Sequence, residues 1–250
     1  RSVTRRIVAD AGEVLSAPDL VATPTHLTVF EPPWNGTGSS NVRQVYAAAS
    51  SESSGWKGAA LYRDDAGNLV PIGTTGSRRS VVGSTLKSVF PSSALMLERS
   101  ASFEVQLLSE DFLLVSTSVT SLANGANRAL IGNEIVQFAT AEYLGKACWR
   151  LSGLLRGRGG TEPAALKGHA AGTNFVLLDD TLIALDPAQL GGTGEVKIAA
   201  IGLADQEPVM AQLGNPGLSL KPLSPVHPSI ARALDGSLTL EWTRRARGAW

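Results

Sequence analysis

Asn133-Glu134-Ile135-Val136-Gln137-Phe138-Ala139-Thr140-Ala141-Glu142-Tyr143-Leu144, then Gly145-Lys146-Ala147, then Cys148-Trp149-Arg150-Leu151-Ser152-Gly153-Leu154-Leu155-Arg156 is the stretch that decides the fold. Apolar and polar residues alternate through the first run, as they do along a strand with one buried face, and a short turn separates it from a second β-prone run. The pattern predicts a hairpin of 133–144 with 148–156. The second run passes directly into Gly157-Arg158-Gly159-Gly160-Thr161-Glu162. Glycines permit positive φ and close backbone approach, while a guanidinium clamps a carboxylate or carbonyl oxygens across a strand end or a subunit boundary. Arg156, Gly157, Arg158, Gly159, Gly160 and Thr161 are therefore the candidate site, read as a structural or interface loop.

Strand-like runs recur on both sides of this hairpin. They lie at 2–8, 27–30, 45–49, 59–63 with 69–72 across the polar turn 64–68, 80–82, 102–108, 112–116, 174–178, 182–185 and 195–200. Hydrophobic residues make up 43% of the 250 and charged ones 18%, and 26 glycines with 13 prolines punctuate the chain, a balance that favours many short strands over long helices. The fold class is all-β (mainly β), a short-stranded barrel or sandwich without internal repeats. Its length suffices for a sizeable core with no disulfide or metal staple.

Glu31-Pro32-Pro33-Trp34-Asn35-Gly36 is rich in turn formers and sets a soft boundary. Residues 1–30 then read as closing strands of a preceding domain and 31–221 as the main β-rich domain. Three prolines in Pro222-Leu223-Ser224-Pro225-Val226-His227-Pro228 suggest a linker, and Asp235-Gly236 followed by alternating Leu238, Leu240 and Trp242 suggests a new hairpin. Segment 222–250 is similar to the first strands of a fibronectin type III-like module, incomplete against the roughly 100 residues of a whole sandwich. A start at Arg1 without methionine and an end at Trp250 in a strand-like pattern give the expectation of a piece of a longer polypeptide.

Lysines plus arginines equal aspartates plus glutamates at 22 each, which argues against nucleic acid or an anionic membrane as dominant partner. The clusters Arg1, Arg5, Arg6 and Arg244, Arg245, Arg247 read as solvated faces. Cys148 is a single cysteine, compatible with synthesis in a reducing cytoplasm. No apolar run approaches the length of a membrane span, and the first residues lack the order of a secretory signal.

Catalytic motifs are weak. Ser84-Thr85-Leu86-Lys87 has the Ser-x-x-Lys spacing that on a helix sets a lysine beside a serine nucleophile, but its companion Ser-Asp-Asn and Lys-Thr-Gly elements are missing. His26, His169 and His227 are isolated, so no metal site and no cofactor is expected; His169 reads as an exposed turn residue before any role in orienting the arginine loop. Asp64, Asp65 and Asn68 lack the spacing of a calcium loop and read as a turn. Arg156-Gly157-Arg158-Gly159-Gly160 lacks the ending of a phosphate loop and is too short for an RNA-binding tract. Trp34, Trp56, Trp149, Trp242 and Trp250 would make a sugar-stacking surface if they shared a groove, yet Trp149 and Trp242 sit in apolar alternation and read as core. Asn35-Gly36-Thr37 fits a glycosylation acceptor and reads as a turn without a secretory signal.

The runs "NEIVQF", "YL", "WRLSGLLRGRGGTE" and "GHAAGTNFVLLDD", preceded in order by "LTVFEPPWNG", "VYAAASSESSGW" and "LANGANRALIGNEIVQF", resemble the C-terminal region of the large tail-hub or baseplate proteins of tailed phages and gene transfer agents. The resemblance covers roughly residues 20 to 190, and its specific part is Leu-Leu-Arg-Gly-x-x-Gly-Thr. It implies a non-catalytic structural component of a tail tip, made in the bacterial cytoplasm. It also implies a homotrimer around the tail axis in contact with other hub and tail-tube proteins and with the host envelope. Two other readings stand beside it: a carbohydrate-binding host-recognition module using exposed tryptophans, and a cell-wall hydrolase fragment.

Overall fold

The computed structural model describes residues 21–36, 39–191 and 196–245. In chain order the strands are β1 (His26–Phe30), β2 (Val45–Ser50), β3 (Ala59–Asp65), β4 (Asn68–Thr74), β5 (Val82–Thr85) and β6 (Glu98–Leu107). After the one-turn helix α1 (Val119–Ala123) come β7 (Arg128–Ile131), β8 (Glu134–Gly145) and β9 (Cys148–Arg158). The short helix α2 (Glu162–Ala165) precedes β10 (Asn174–Leu177), β11 (Ile183–Leu185), β12 (Lys197–Gly202), β13 (Val209–Gly214), β14 (Val226–Arg232) and β15 (Leu238–Thr243). The protein is all-β.

Strands β5 to β10 close into a six-stranded antiparallel barrel in the order β10-β5-β6-β9-β8-β7. The hairpin β8–β9 is its longest pair, turning on Lys146 and Ala147, both at positive φ. Alternation along β7 and β8 sends Ala129, Ile131, Val136 and Phe138 inward, where they pack with Phe103, Val105, Trp149, Leu151 and Phe175. Gly153 curves the wall: its φ is +64°, and a Cβ there would stand 2.8 Å from that of Ala139 on β8.

The second sheet has seven strands in the order β11-β2-β1-β13-β12-β3-β4, with its own core around Val29, Ala47, Trp56, Leu61 and Ile198. Four of its strands precede the barrel in the chain and three follow it, so the barrel is inserted within the sheet. A third cluster joins the two bodies: Phe30 and Ala48 of the sheet meet Val82, Leu130, Ile135 and Val176 on the outer face of the barrel. Arg79 adds a polar latch, donating to the carbonyls of Ser51 (3.1 Å) and Glu52 (3.3 Å), pairing with Asp111 and lying 4.8 Å over the Phe112 ring.

Several expectations differ from this arrangement. The strand at 27–30 is a central member of the seven-stranded sheet, paired with β2 and in parallel with β13, so 31–36 links strands of one sheet instead of dividing two domains. Residues 1–20, with the run at 2–8, lie outside the described residues, as do Thr37, Glu195, Arg247 and Trp250. The run 112–116 is not a strand although it alternates. β7 is short and pairs β8 only through Gln137, so the edge beyond it is open, and 115–117 covers that edge with isolated bonds such as Thr117 N–H to the Ala139 carbonyl (2.7 Å). The linker is shorter than 222–228, because β14 begins at Val226 with a register irregularity before Ser229. β14 and β15 form a hairpin by themselves, and Trp242, expected in a core, is 61% exposed.

Candidate functional site

Glu134 opens β8 and Arg156 lies near the end of β9, on the adjoining strand, where both side chains are withdrawn from solvent. The guanidinium grips the carboxylate with two parallel bonds, Nε to Oε1 at 2.7 Å and Nη2 to Oε2 at 2.8 Å. Its remaining nitrogen Nη1 donates to the Phe90 carbonyl at 3.1 Å. The backbone N–H of Gly157 adds a bond to Oε1 at 2.8 Å, and His169 Nε2 stands 2.8 Å from Oε2. Burial would push the Glu134 carboxyl up, but the bonds from His169, Arg156 and Gly157 outweigh it and hold the group below the usual carboxylate range.

His169 is thus a buried member of the cluster and not an exposed turn residue. Its backbone exchanges two hydrogen bonds with Val89, N–H to carbonyl at 2.9 Å and the reverse at 2.8 Å. Ser92 N–H donates to the Ala165 carbonyl at 2.8 Å, while the Ser92 hydroxyl bonds Glu98. The segment from Val89 to Ser92 is therefore pinned to the arginine loop and to α2. Gly157 is required for this closeness: its φ is +59°, and a Cβ would sit 2.8 Å from the Ala94 Cβ and 2.9 Å from the Glu162 Cα.

The rest of the loop is tied inward in the same way. Arg158 Nε donates to Gln137 Oε1 at 3.2 Å, and the Gln137 amide donates to the carbonyls of Leu122 (2.8 Å) and Ala126 (2.7 Å). Thr161 Oγ1 donates to the Arg158 carbonyl at 2.8 Å and accepts the Ile135 N–H at 3.0 Å. Gly159 and Gly160 both have positive φ, and Gly159 packs against Pro33. Arg245, read from sequence as a solvated cation, holds Glu162 Oε1 with both terminal nitrogens at 2.9 Å and so brings the end of β15 to this loop.

On top of the buried network sit apolar side chains open to solvent: Phe90 at 81%, Leu95 at 83% and Met96 at 78% exposure, with Leu166 exposed just after α2. The sequence reading missed Glu134, Phe90 and this surface. An acidic residue at the head of an otherwise apolar strand was the available signal for Glu134.

The other sequence candidates are dispersed. Ser84 lies on β5, a strand, so the helical geometry needed by a Ser-x-x-Lys pair is absent, and Lys87 pairs with Glu104 at 3.2 Å. Asp64 caps the β3–β4 turn by accepting the Gly67 N–H at 2.7 Å. No group of three or more His, Cys, Asp or Glu residues suited to a metal ion occurs among the described residues. Trp56 and Trp149 are buried in different bodies, and Trp34 is half-buried. No described helix is long and apolar enough to cross a membrane.

Residues 80–176 match the family described as Rcc01698-like, C-terminal. The matched span runs from just before β5 to within β10 and so coincides with the closed barrel. No curated protein matches the chain.

Proposed function

We propose that this chain is a non-catalytic structural component of a phage-like tail tip, a hub or baseplate element that assembles with further copies of itself around the tail axis and contacts the host envelope. One observation carries the reading. The buried pair Glu134 and Arg156, joined by the His169 ring, is satisfied internally and by the Phe90 carbonyl, and Phe90 itself, with Leu95 and Met96 a few residues further on, is open to solvent. A rigid base under exposed apolar side chains suits docking to a neighbouring subunit, since such side chains lose their cost when covered. The equal number of basic and acidic residues agrees with association by shape and apolar contact over long-range steering. The sequence resemblance over residues 20 to 190 supports the same assignment, with a homotrimer as its assembly.

The test is Phe90→Asp combined with Leu95→Asp in the full-length protein inside particle-producing cells. The expected outcome is an unchanged melting temperature, a loss of trimer on light scattering and particles without complete tail tips. Normal trimers and normal particles would overturn the proposal.

A further inference from the structure

Where the same patch of two copies meets, the contact is two-fold and closes at a pair; in a three-fold ring each copy gives one surface and receives a different one. The Phe90–Met96 surface is one of the two that a trimer of this chain requires. Its counterpart must be another exposed surface of the same chain.

The β14–β15 hairpin supplies it. Ile230 stands opposite Leu240 and Arg232 opposite Leu238, and alternate residues of a strand share a face. Ile230, Leu238, Leu240 and Trp242 therefore line one face together with Arg232, while Ser229, Ala231, Thr239 and Glu241 line the other. All four large apolar side chains are exposed. A two-stranded hairpin has too little packing of its own to hold such a face in water, so its stable form has that face covered.

The root of the hairpin narrows what covers it. Arg245, just after β15, binds Glu162 at the start of α2 and donates from Nε to the Ser224 carbonyl before β14 at 2.9 Å, so both ends of the hairpin are fastened beside α2. With that root in place, the hairpin face and the chain's own Phe90, Leu95, Met96 and Leu166 are exposed at the same time, which leaves each available to another copy. Charge agrees with such a pairing. Arg232 has no ion pair among the described residues, and Glu98, close after Met96, accepts the Ser92 hydroxyl at Oε1 and has no hydrogen bond to Oε2 among them.

We infer that the occupant of the Phe90–Met96 surface is the β14–β15 hairpin of a second copy, docked head to tail by its Ile230, Leu238, Leu240 and Trp242 face with Arg232 against Glu98. The inference rests on the tail-tip reading and names the surface that completes its trimer.

Light scattering on the full chain tests it with two variants, Phe90→Asp with Leu95→Asp and Leu240→Asp with Trp242→Asp. Each alone is expected to be a monomer with unchanged melting, and an equimolar mixture to give the mass of a dimer, because one intact hairpin face and one intact Phe90 surface remain between the two. Thr239→Asp, on the other face of the hairpin, leaves the trimer unaltered. Arg232→Glu is expected to weaken assembly roughly tenfold, and Glu98→Arg in the same chain to restore it. Trimers of the Leu240→Asp, Trp242→Asp variant beside monomers of the Phe90→Asp, Leu95→Asp variant overturn this inference and leave the tail-tip reading standing; trimers of both, or a monomeric wild type, remove that reading with it. Self-association of either variant alone, a mixture that stays monomeric, or no restoration by Glu98→Arg also overturns it.

Discussion

Each of the two sheets buries one glutamate completely, and the two are solvated by the protein in different ways. In the barrel, Glu134 is held chiefly by side chains: a two-pronged guanidinium that is itself buried, an imidazole and one backbone N–H. In the seven-stranded body, Glu31 follows β1 and is held chiefly by a loop, through the N–H groups of Gly217 (2.8 Å) and Ser219 (3.1 Å) and the Ser219 hydroxyl. Its cation, Arg43, keeps 23% of its side chain in contact with solvent. The first arrangement concentrates cost in one ion pair that must stay intact, whereas the second spreads it over a backbone turn and a cation that reaches water.

The contrast breaks most directly at Glu134→Ala. Arg156 would be left buried without its carboxylate, a loss of about 3–5 kcal/mol, and thermal unfolding with refolding controls should show it. Glu31→Ala should cost less, about 1–3 kcal/mol, because the orphaned N–H groups of 217 and 219 are neutral and Arg43 turns to solvent. If chemical denaturation gives equal losses for the two, the distinction drawn from burial is wrong.

Acid sharpens the comparison. The Glu134 carboxyl titrates below its unfolded value, so its contribution is fully present above the ordinary carboxylate range and disappears as pH falls through the lowered folded value. Stability of the wild type should therefore decline on acidification below about pH 4, and Glu134→Gln should flatten that decline. A profile of equal steepness in both would remove Glu134 as its source. The smallest change expected is Arg158→Lys, under about 1 kcal/mol, since only one contact of an exposed side chain is lost; a melting curve displaced as far as that of Glu31→Ala would mean the loop relies on Arg158 as it does on Arg156.

Strand identity was legible wherever alternation ran long. The 133–144 and 148–156 runs became β8 and β9 because a period of two over that length has no helical counterpart. β7 and β13 escaped: the first is four residues after a turn-rich segment, and the second, Val209–Gly214, has few β-branched residues and is recruited by its neighbours. The run 112–116 shows the opposite limit, since alternation records which side chains are buried and not whether the backbone finds a ladder. In the site, an arginine in need of oxygen acceptors could be read from Arg156 and its glycines. His169, 35 residues from Glu134, and the Phe90 carbonyl could not, because only barrel closure brings them together.

The insertion of the barrel has a consequence for how such a chain can change over generations. Its first and last strands are neighbours: Val82 stands opposite Val176, and the Leu177 N–H reaches the Val81 carbonyl at 2.9 Å. The host sheet meets both junctions at one place, through Ser80 N–H to the Ala49 carbonyl at 2.9 Å and the Ser80 hydroxyl to the Thr181 carbonyl at 3.2 Å. A module that enters and leaves through adjacent points can be exchanged or grafted with little strain on its host. Recombination can then trade the barrel while the surrounding sheet keeps its register.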